Sequence, residues 1–181
     1  MRVRVPLDQA LRLIAPGPVV LASALHKERF TLTPVGWTTP LSNRPPLVGL
    51  VVRPDRFLHE LIAASGEFGL SIVTEHEAGR LFRAGLISGR DQLDKFTAVQ
   101  LTPVAGQRIA APLVDEAIGQ IECALVRTVE SGDHTLFVGE VLIAEADEYA
   151  FDGFWGASDS HPLHYLGGNQ FAPLGNRVTA T

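Results

Sequence analysis

TPVGWTTPLSNRPPLVGLVVRPDRFLHELI, residues 33–62, carries the reading of the fold. Its first five residues close a strand-like segment that runs from Phe30 to Trp37. There Phe30, Leu32, Pro34 and Gly36 fall on one face and Thr31, Thr33, Val35 and Trp37 on the other, because successive side chains alternate across a strand. Pro34 has no N–H to give to a ladder, so the segment belongs at a sheet edge or a bulge. A polar run follows, Thr38-Thr39-Pro40-Leu41-Ser42, read as a loop, and then a turn at Pro45-Pro46. Residues 47–52 are continuously apolar and of strand length. That strand delivers Arg53 and Arg56 to the start of a helix with an apolar stripe of Phe57, Leu58, Leu61 and Ile62, ending near Ser65-Gly66. An indole, several hydroxyls and two guanidiniums thus share one supersecondary unit. Such a set suits a flat, polar-edged ring at one end and a phosphate at the other.

The flanks extend the same pattern. Upstream, Leu7, Ala10, Leu11 and Ile14 have helical spacing and predict a short leading helix packed on the barrel, stopped by Pro16-Gly17. Residues 19–25 predict a strand that turns through His26 to Arg29 into the segment ending at Trp37. Downstream, residues 68–73 predict another strand. Thr74-Glu75-His76-Glu77 is a capping box opening a helix with Ala78, Leu81 and Phe82 on its apolar side. Residues 88–96 read as a charged loop with one helical turn, and residues 101–112 as a surface connection punctuated by Pro103, Gly106 and Pro112. Two long β runs, 117–129 and 135–144, meet in a hairpin with Gly132-Asp133 at its tip. The tail from Phe151 has no clear periodicity. Hairpins with few, short helices predict a mainly β, α+β fold built on a closed antiparallel barrel, with residues 1–181 as one domain.

Composition narrows the function classes. Hydrophobic residues are 46% and charged residues 19%, which excludes a disordered chain and mildly favours an oligomer that buries apolar surface. The net charge is −5 and no basic run occurs, so nucleic acid is not an expected partner. No apolar run approaches a membrane span, and Asp8, Gln9 and Arg12 break up a signal-like start after Arg2 and Arg4. The single cysteine, Cys123, excludes an internal disulfide and reads as a packed core thiol; a reducing, cytoplasmic location is expected. Asp159, His161 and His164 are spaced poorly for a metal, and none is expected.

Further motifs lie along the chain: Ser88-Gly89-Arg90-Asp91 with Asp94-Lys95-Phe96, then Gly132-Asp133-His134-Thr135-Leu136-Phe137-Val138-Gly139-Glu140-Val141, then Pro162-Leu163-His164-Tyr165-Leu166-Gly167-Gly168. Together with the opening stretch, and in this order, they resemble the flavin reductase-like proteins of the FMN-binding split-barrel class, above all their flavoredoxin-like branch. The resemblance runs from about Pro18 to Gly175. It implies an antiparallel, Greek-key split β-barrel, a homodimer, and one noncovalent FMN per subunit near the dimer interface. Under it, Trp37, Thr38, Thr39 and Ser42 follow the isoalloxazine. Arg53, Arg56 and His59 attend the phosphate side, and Ser88, Arg90 and Lys95 the phosphate or ribityl chain. His134 would position a nicotinamide for hydride transfer, with NAD(P)H as a transient co-substrate. Electrons would pass to free flavin, iron, oxygen, a partner oxygenase or an electron-transfer protein. The other reading implied is a flavoredoxin-like electron carrier without direct NAD(P)H activity.

Overall fold

The computed structural model describes residues 6–14, 17–92, 94–156, 159–175 and 178. Arg2, Arg4 and Pro16 from the leading segment, and Leu93 from the expected 88–96 loop, lie outside them. In chain order the strands and helices are β1 (Gly17–Pro18), β2 (Val20–His26), β3 (Arg29–Val35), β4 (Thr38–Asn43), β5 (Pro46–Val52), α1 (Phe57–Ser65), β6 (Glu67–Ile72), α2 (Ala78–Leu86), α3 (Lys95–Val99), β7 (Pro103–Val104), β8 (Leu113–Val114), β9 (Gly119–Ser131), β10 (His134–Ala146), β11 (Leu163–Gly167) and β12 (Gln170–Pro173).

Seven strands form the main antiparallel sheet in the order β3-β2-β6-β9-β10-β5-β4. Its two edge strands, β3 and β4, are consecutive in the chain and joined only through Gly36-Trp37. The sheet must therefore curl until its edges meet, and the Val51 N–H donates to the Trp37 carbonyl at 3.0 Å across that junction. Pro34 lies on the edge strand β3, where its missing N–H costs no ladder bond.

Strand β2 is the wall between two cores. Val20, Ala22 and Ala24 point into one, with the α1 stripe and Phe68, Cys123 and Phe137. Val19, just before β2, and Leu21 within it point into the other, covered by Leu81 and Ala84 of α2, Phe96 and Val99 of α3, and Leu163 of β11. Helix α1 stops as the sequence predicts: Gly66 takes φ 73° and its N–H caps the Ile62 carbonyl. The capping box at Thr74 and Glu77 is formed around a single 3-10 turn that leads into α2. Burial pushes the Cys123 thiol up to about 12, helped by the charge of neighbouring Glu122.

Four expectations are corrected. The run from Thr38 is not a loop but strand β4, paired to β5 with a bulge between Pro40 and Ser42 that absorbs the proline. The leading segment is a 3-10 helix, Leu7–Leu13, and it does not pack on the barrel, because Leu7 is 91% and Ile14 82% exposed. The aperiodic tail contains β11 and β12, which pair with each other and with β1 rather than with a sequence neighbour upstream. The 101–112 connection is tied inward. The buried Glu122 carboxylate accepts the N–H groups of Gln107, Arg108 and Ile109 at 2.7–3.0 Å, and Glu67 accepts that of Ala110 at 2.6 Å. Among the described residues no helix is long and apolar enough to cross a membrane.

Candidate functional site

Two adjoining clefts open along β3 and the residues just after it, with Thr31, Thr33, Pro34, Val35, Gly36 and Trp37 among their walls. The larger has a volume of about 400 Å³ and includes Thr33, Val35, Trp37 and His134 in its walls. The smaller, of about 120 Å³, is walled by Thr31, Phe57, Ser88, Gly89 and Lys95 among others. Thr33, Arg56, Gly85 and Leu86 line both, so the two are one continuous depression with a wide and a narrow end.

The wide end is built from rings. Trp37 and His134 pack with centroids 4.7 Å apart and planes tilted by 31°. His134 Nδ1 lies 2.7 Å from Asp133 Oδ1. That hydrogen bond, with the histidine's charge, holds the Asp133 carboxyl below the usual carboxylate range. Tyr165 closes another wall by lying against Gly36, where an added Cβ would meet the ring at 3.2 Å. Arg53 also borders this end, in a half-exposed ion pair with Asp55 at 3.0 Å.

The narrow end is built from buried polar groups. Lys95 opens α3, is 1% exposed, and donates from Nζ to the Ala84 carbonyl at 2.7 Å. Burial, and then the nearby Arg56 charge, push its ammonium down to about 8. Asp94 caps α3 by accepting the Thr97 N–H at 3.0 Å and hydroxyl at 2.6 Å, which fixes where Lys95 begins. Thr31 is 1% exposed and its Oγ1 has no hydrogen-bond partner among the described residues. Arg56 stands at the N-cap of α1 without a side-chain cap, so the first-turn N–H groups of that helix keep their positive potential.

The predicted site residues divide. Trp37, Arg53, Arg56 and His134 line the wide end; Arg56, Ser88, Arg90 and Lys95 line the narrow one. Arg90 is already engaged, donating to the Asp55 carbonyl at 2.7 Å and to Glu60 at 3.2 Å. His59 lines neither cleft: it bonds Thr135 Oγ1 at 3.0 Å and meets the edge of Phe137, and burial lowers its pKa below the ordinary histidine value. Thr38, Thr39 and Ser42, on β4, also line neither.

Sequence reasoning singled out neither Thr31, Gly89, Arg29 nor Tyr165. Thr31 had a signal, since it shares the alternating face with Thr33. Arg29 had none, being read as a turn residue. Its guanidinium donates to the Gly89 and Arg90 carbonyls at 3.2 Å each and lies 4.5 Å over the Phe57 ring, pinning the loop that closes the narrow end.

The flavin reductase-like domain model matches residues 12–172. The uncharacterized protein YddH of Escherichia coli K12 is 34% identical, with the match covering 97% of this chain and 96% of its own length. An NADH-dependent FAD reductase of Streptomyces globisporus is 36% identical over 59% of this chain and 57% of its own. Among solved structures, the FMN-binding protein of Thermus thermophilus, with bound 1-cyclohex-2-enone, superposes at TM-score 0.86 and 26% identity, covering 100% of this chain and 98% of that one. The flavoredoxin of Desulfovibrio vulgaris (Miyazaki F) superposes at TM-score 0.82 and 26% identity, covering 91% and 90%.

Proposed function

This chain belongs to the flavin reductase-like domain family and has its FMN-binding split-barrel fold, and from that premise we propose that it is an FMN-dependent oxidoreductase taking hydride from NAD(P)H. One observation carries the reading: a ring-walled cleft and a cation-lined pocket meet at Arg56. A flat cofactor with a charged tail needs that pairing. The narrow end fits a phosphate on two counts: an unpartnered buried hydroxyl at Thr31, and the cations of Lys95 and Arg56. FMN would supply hydride acceptance at its ring nitrogen and release of single electrons or pairs.

The chain's own residues bind and orient. Arg56, Lys95 and Ser88 hold the phosphate end, with Arg53 a peripheral contribution. Trp37 and Tyr165 wall the ring end and limit water. His134, fixed by Asp133 on one side and Trp37 on the other, positions the nicotinamide; hydride transfer needs alignment rather than a proton acceptor. Electrons leave to free flavin, iron, oxygen or a partner protein such as an oxygenase. We place the whole chain in one functional domain and in a homodimer, supported by the exposure of Leu41, Val126 and Val129.

Anaerobic stopped-flow mixing of the FMN-loaded protein with NADH and with NADPH tests this. Rapid bleaching of the oxidised flavin by either nucleotide is the expected result. Bound flavin that neither nucleotide bleaches would favour an electron carrier, a reading supported by the similarity to flavoredoxin.

A further inference from the structure

Charge is unevenly divided along the chain. Between Arg127 and Arg177 there is no lysine or arginine, and Glu145, Asp147, Glu148 and Asp152 crowd into residues 145–152, among Tyr149 and Phe151 and just before Phe154. Glu145, Asp147 and Glu148 are exposed and pair with no lysine or arginine among the described residues. Tyr149 is 75% and Phe154 71% exposed, a large display for aromatic rings. The loop that shows them is tied down. The Asp147 N–H donates to the Ile118 carbonyl at 3.0 Å, and the Asp147 carbonyl accepts the N–H groups of Ala150 and Phe151 at 3.1 and 3.0 Å. Asp147 Oδ1 accepts the Tyr149 N–H at 2.7 Å. Ala150 is 1% exposed, and Trp155 packs on the first core, edge to face with Phe151 at a centroid distance of 5.0 Å. These anchors hold the backbone in place while the rings of Tyr149 and Phe154 stay in solvent.

The ladder of the main sheet places this loop relative to the cleft. Val35, a wall residue of the wide end, pairs with Val20, Val20 with Ile72, Ile72 with Gly119, and Gly119 with Ala146, the last residue of β10. That path is four strand spacings, about 19 Å around the barrel wall, so the loop and the mouth of the wide end share one rim. A standard protein interface covers about 800 Å² per partner, a patch roughly 30 Å across. A protein seated on the loop therefore extends to the mouth of the cleft. Carboxylates alone would accept lysine or arginine. The exposed rings favour arginine, whose planar guanidinium stacks on an aromatic face while its N–H fork engages a carboxylate. We infer that residues 147–155 form a docking surface for a partner protein with an arginine-rich face, seated beside the wide end. The inference goes beyond the flavin reading and does not depend on it.

The test uses flavin-free full-length protein and two fluorescein-labelled peptides of equal length, an oligoarginine and an oligolysine. Both are titrated by fluorescence anisotropy at low and at physiological salt. Wild type is expected to bind the oligoarginine on the order of tenfold more tightly than the oligolysine, through its two exposed rings. Tyr149→Ser with Phe154→Ser keeps every carboxylate and is expected to bind both peptides alike, at the oligolysine level. Glu145→Gln with Glu148→Gln keeps the rings and is expected to weaken both peptides and to reduce the salt dependence of binding. FMN affinity is expected to match wild type in both variants. Equal binding of the two peptides by wild type overturns the inference, and so does an arginine preference that survives loss of the rings. Sedimentation of wild type and the serine variant is expected to give the same mass. A serine variant of smaller mass would make a second copy of the chain the occupant of the rings and overturn the inference as well. Where the double serine variant does not fold, Tyr149→Ser alone repeats the comparison.

Discussion

The narrow and wide ends of the cleft are made in opposite ways. At the narrow end the polar groups are interior: Thr31 and Lys95 are each 1% exposed, and Gly89, packed against Thr31, is buried too. Their positions are fixed by the core, through Asp94 capping α3 and Ala84 accepting from Lys95. At the wide end the groups are on the rim. Trp37 is 37% exposed, and His134 is held by an exposed aspartate at a hairpin tip. A preformed, dehydrated end supplies affinity, because its polar groups have lost water before the ligand arrives. An open end suits turnover under the proposed reaction, in which a second substrate enters and leaves there. The division predicts that binding and reaction can be damaged separately.

The largest effect is expected at the floor of the narrow end. Lys95→Met removes a charge-assisted contact worth about 1.5–3 kcal/mol, so FMN affinity should fall roughly 10- to 100-fold while the reduction rate at saturating FMN stays near normal. The same residue gives a pH signature. Its ammonium titrates near pH 8 in the folded protein, below the ordinary lysine value. Above that pH the unfolded chain binds more protons than the folded one, so stability of the flavin-free protein rises from pH 8 toward the ordinary lysine range. FMN affinity falls over the same interval, as the cation that meets the phosphate is lost. Lys95→Met should flatten both slopes in thermal melts and flavin titrations; slopes that persist would assign them to another group.

A smaller effect, at the other end, is expected from His134→Ala. Flavin reduction by NAD(P)H should slow on the order of tenfold through lost alignment, with FMN affinity unchanged. Release of FMN by this variant would erase the distinction between the ends. The smallest belongs to Arg53→Ala. Its guanidinium is half-exposed and already paired with Asp55, so FMN affinity should change by less than about threefold, in line with exposed ion pairs. A loss as large as that of Lys95→Met would extend the preformed end beyond Arg56.

Much of this was legible before any coordinates. Alternation along residues 30–37 put Thr31, Thr33, Val35 and Trp37 on one face; all four line the clefts, but Pro34 and Gly36 of the other face line the wide end as well. Pro34 pointed to an edge, the Thr74 capping box to a helix start, and Gly132-Asp133 to a hairpin, because each is a local conformational preference. Non-local matters were not legible. Thr38, Thr39 and Ser42 look like ligands by residue type, and that they lie on a strand paired with β5 rather than in a loop depends on partners outside their own stretch. His59 sits one turn into α1, yet its partner is Thr135, 76 residues away. Gly89 packs against Thr31 and Arg29 holds the Gly89 carbonyl, contacts that no window of sequence contains. Strands β11 and β12 escaped because β11 completes a sheet with β1, at the other end of the chain.

Cys123 has a practical consequence for all of these measurements. It is the single cysteine of the chain, fully buried, and its thiol is held protonated far above working pH. Thiol-directed reagents act on the thiolate, so the native protein is silent toward maleimide chemistry while folded. A cysteine introduced at an exposed position such as Tyr149 would therefore be the only thiol to take up a dye or spin label. Flavin exchange and subunit pairing can then be followed by resonance energy transfer without first removing a native residue.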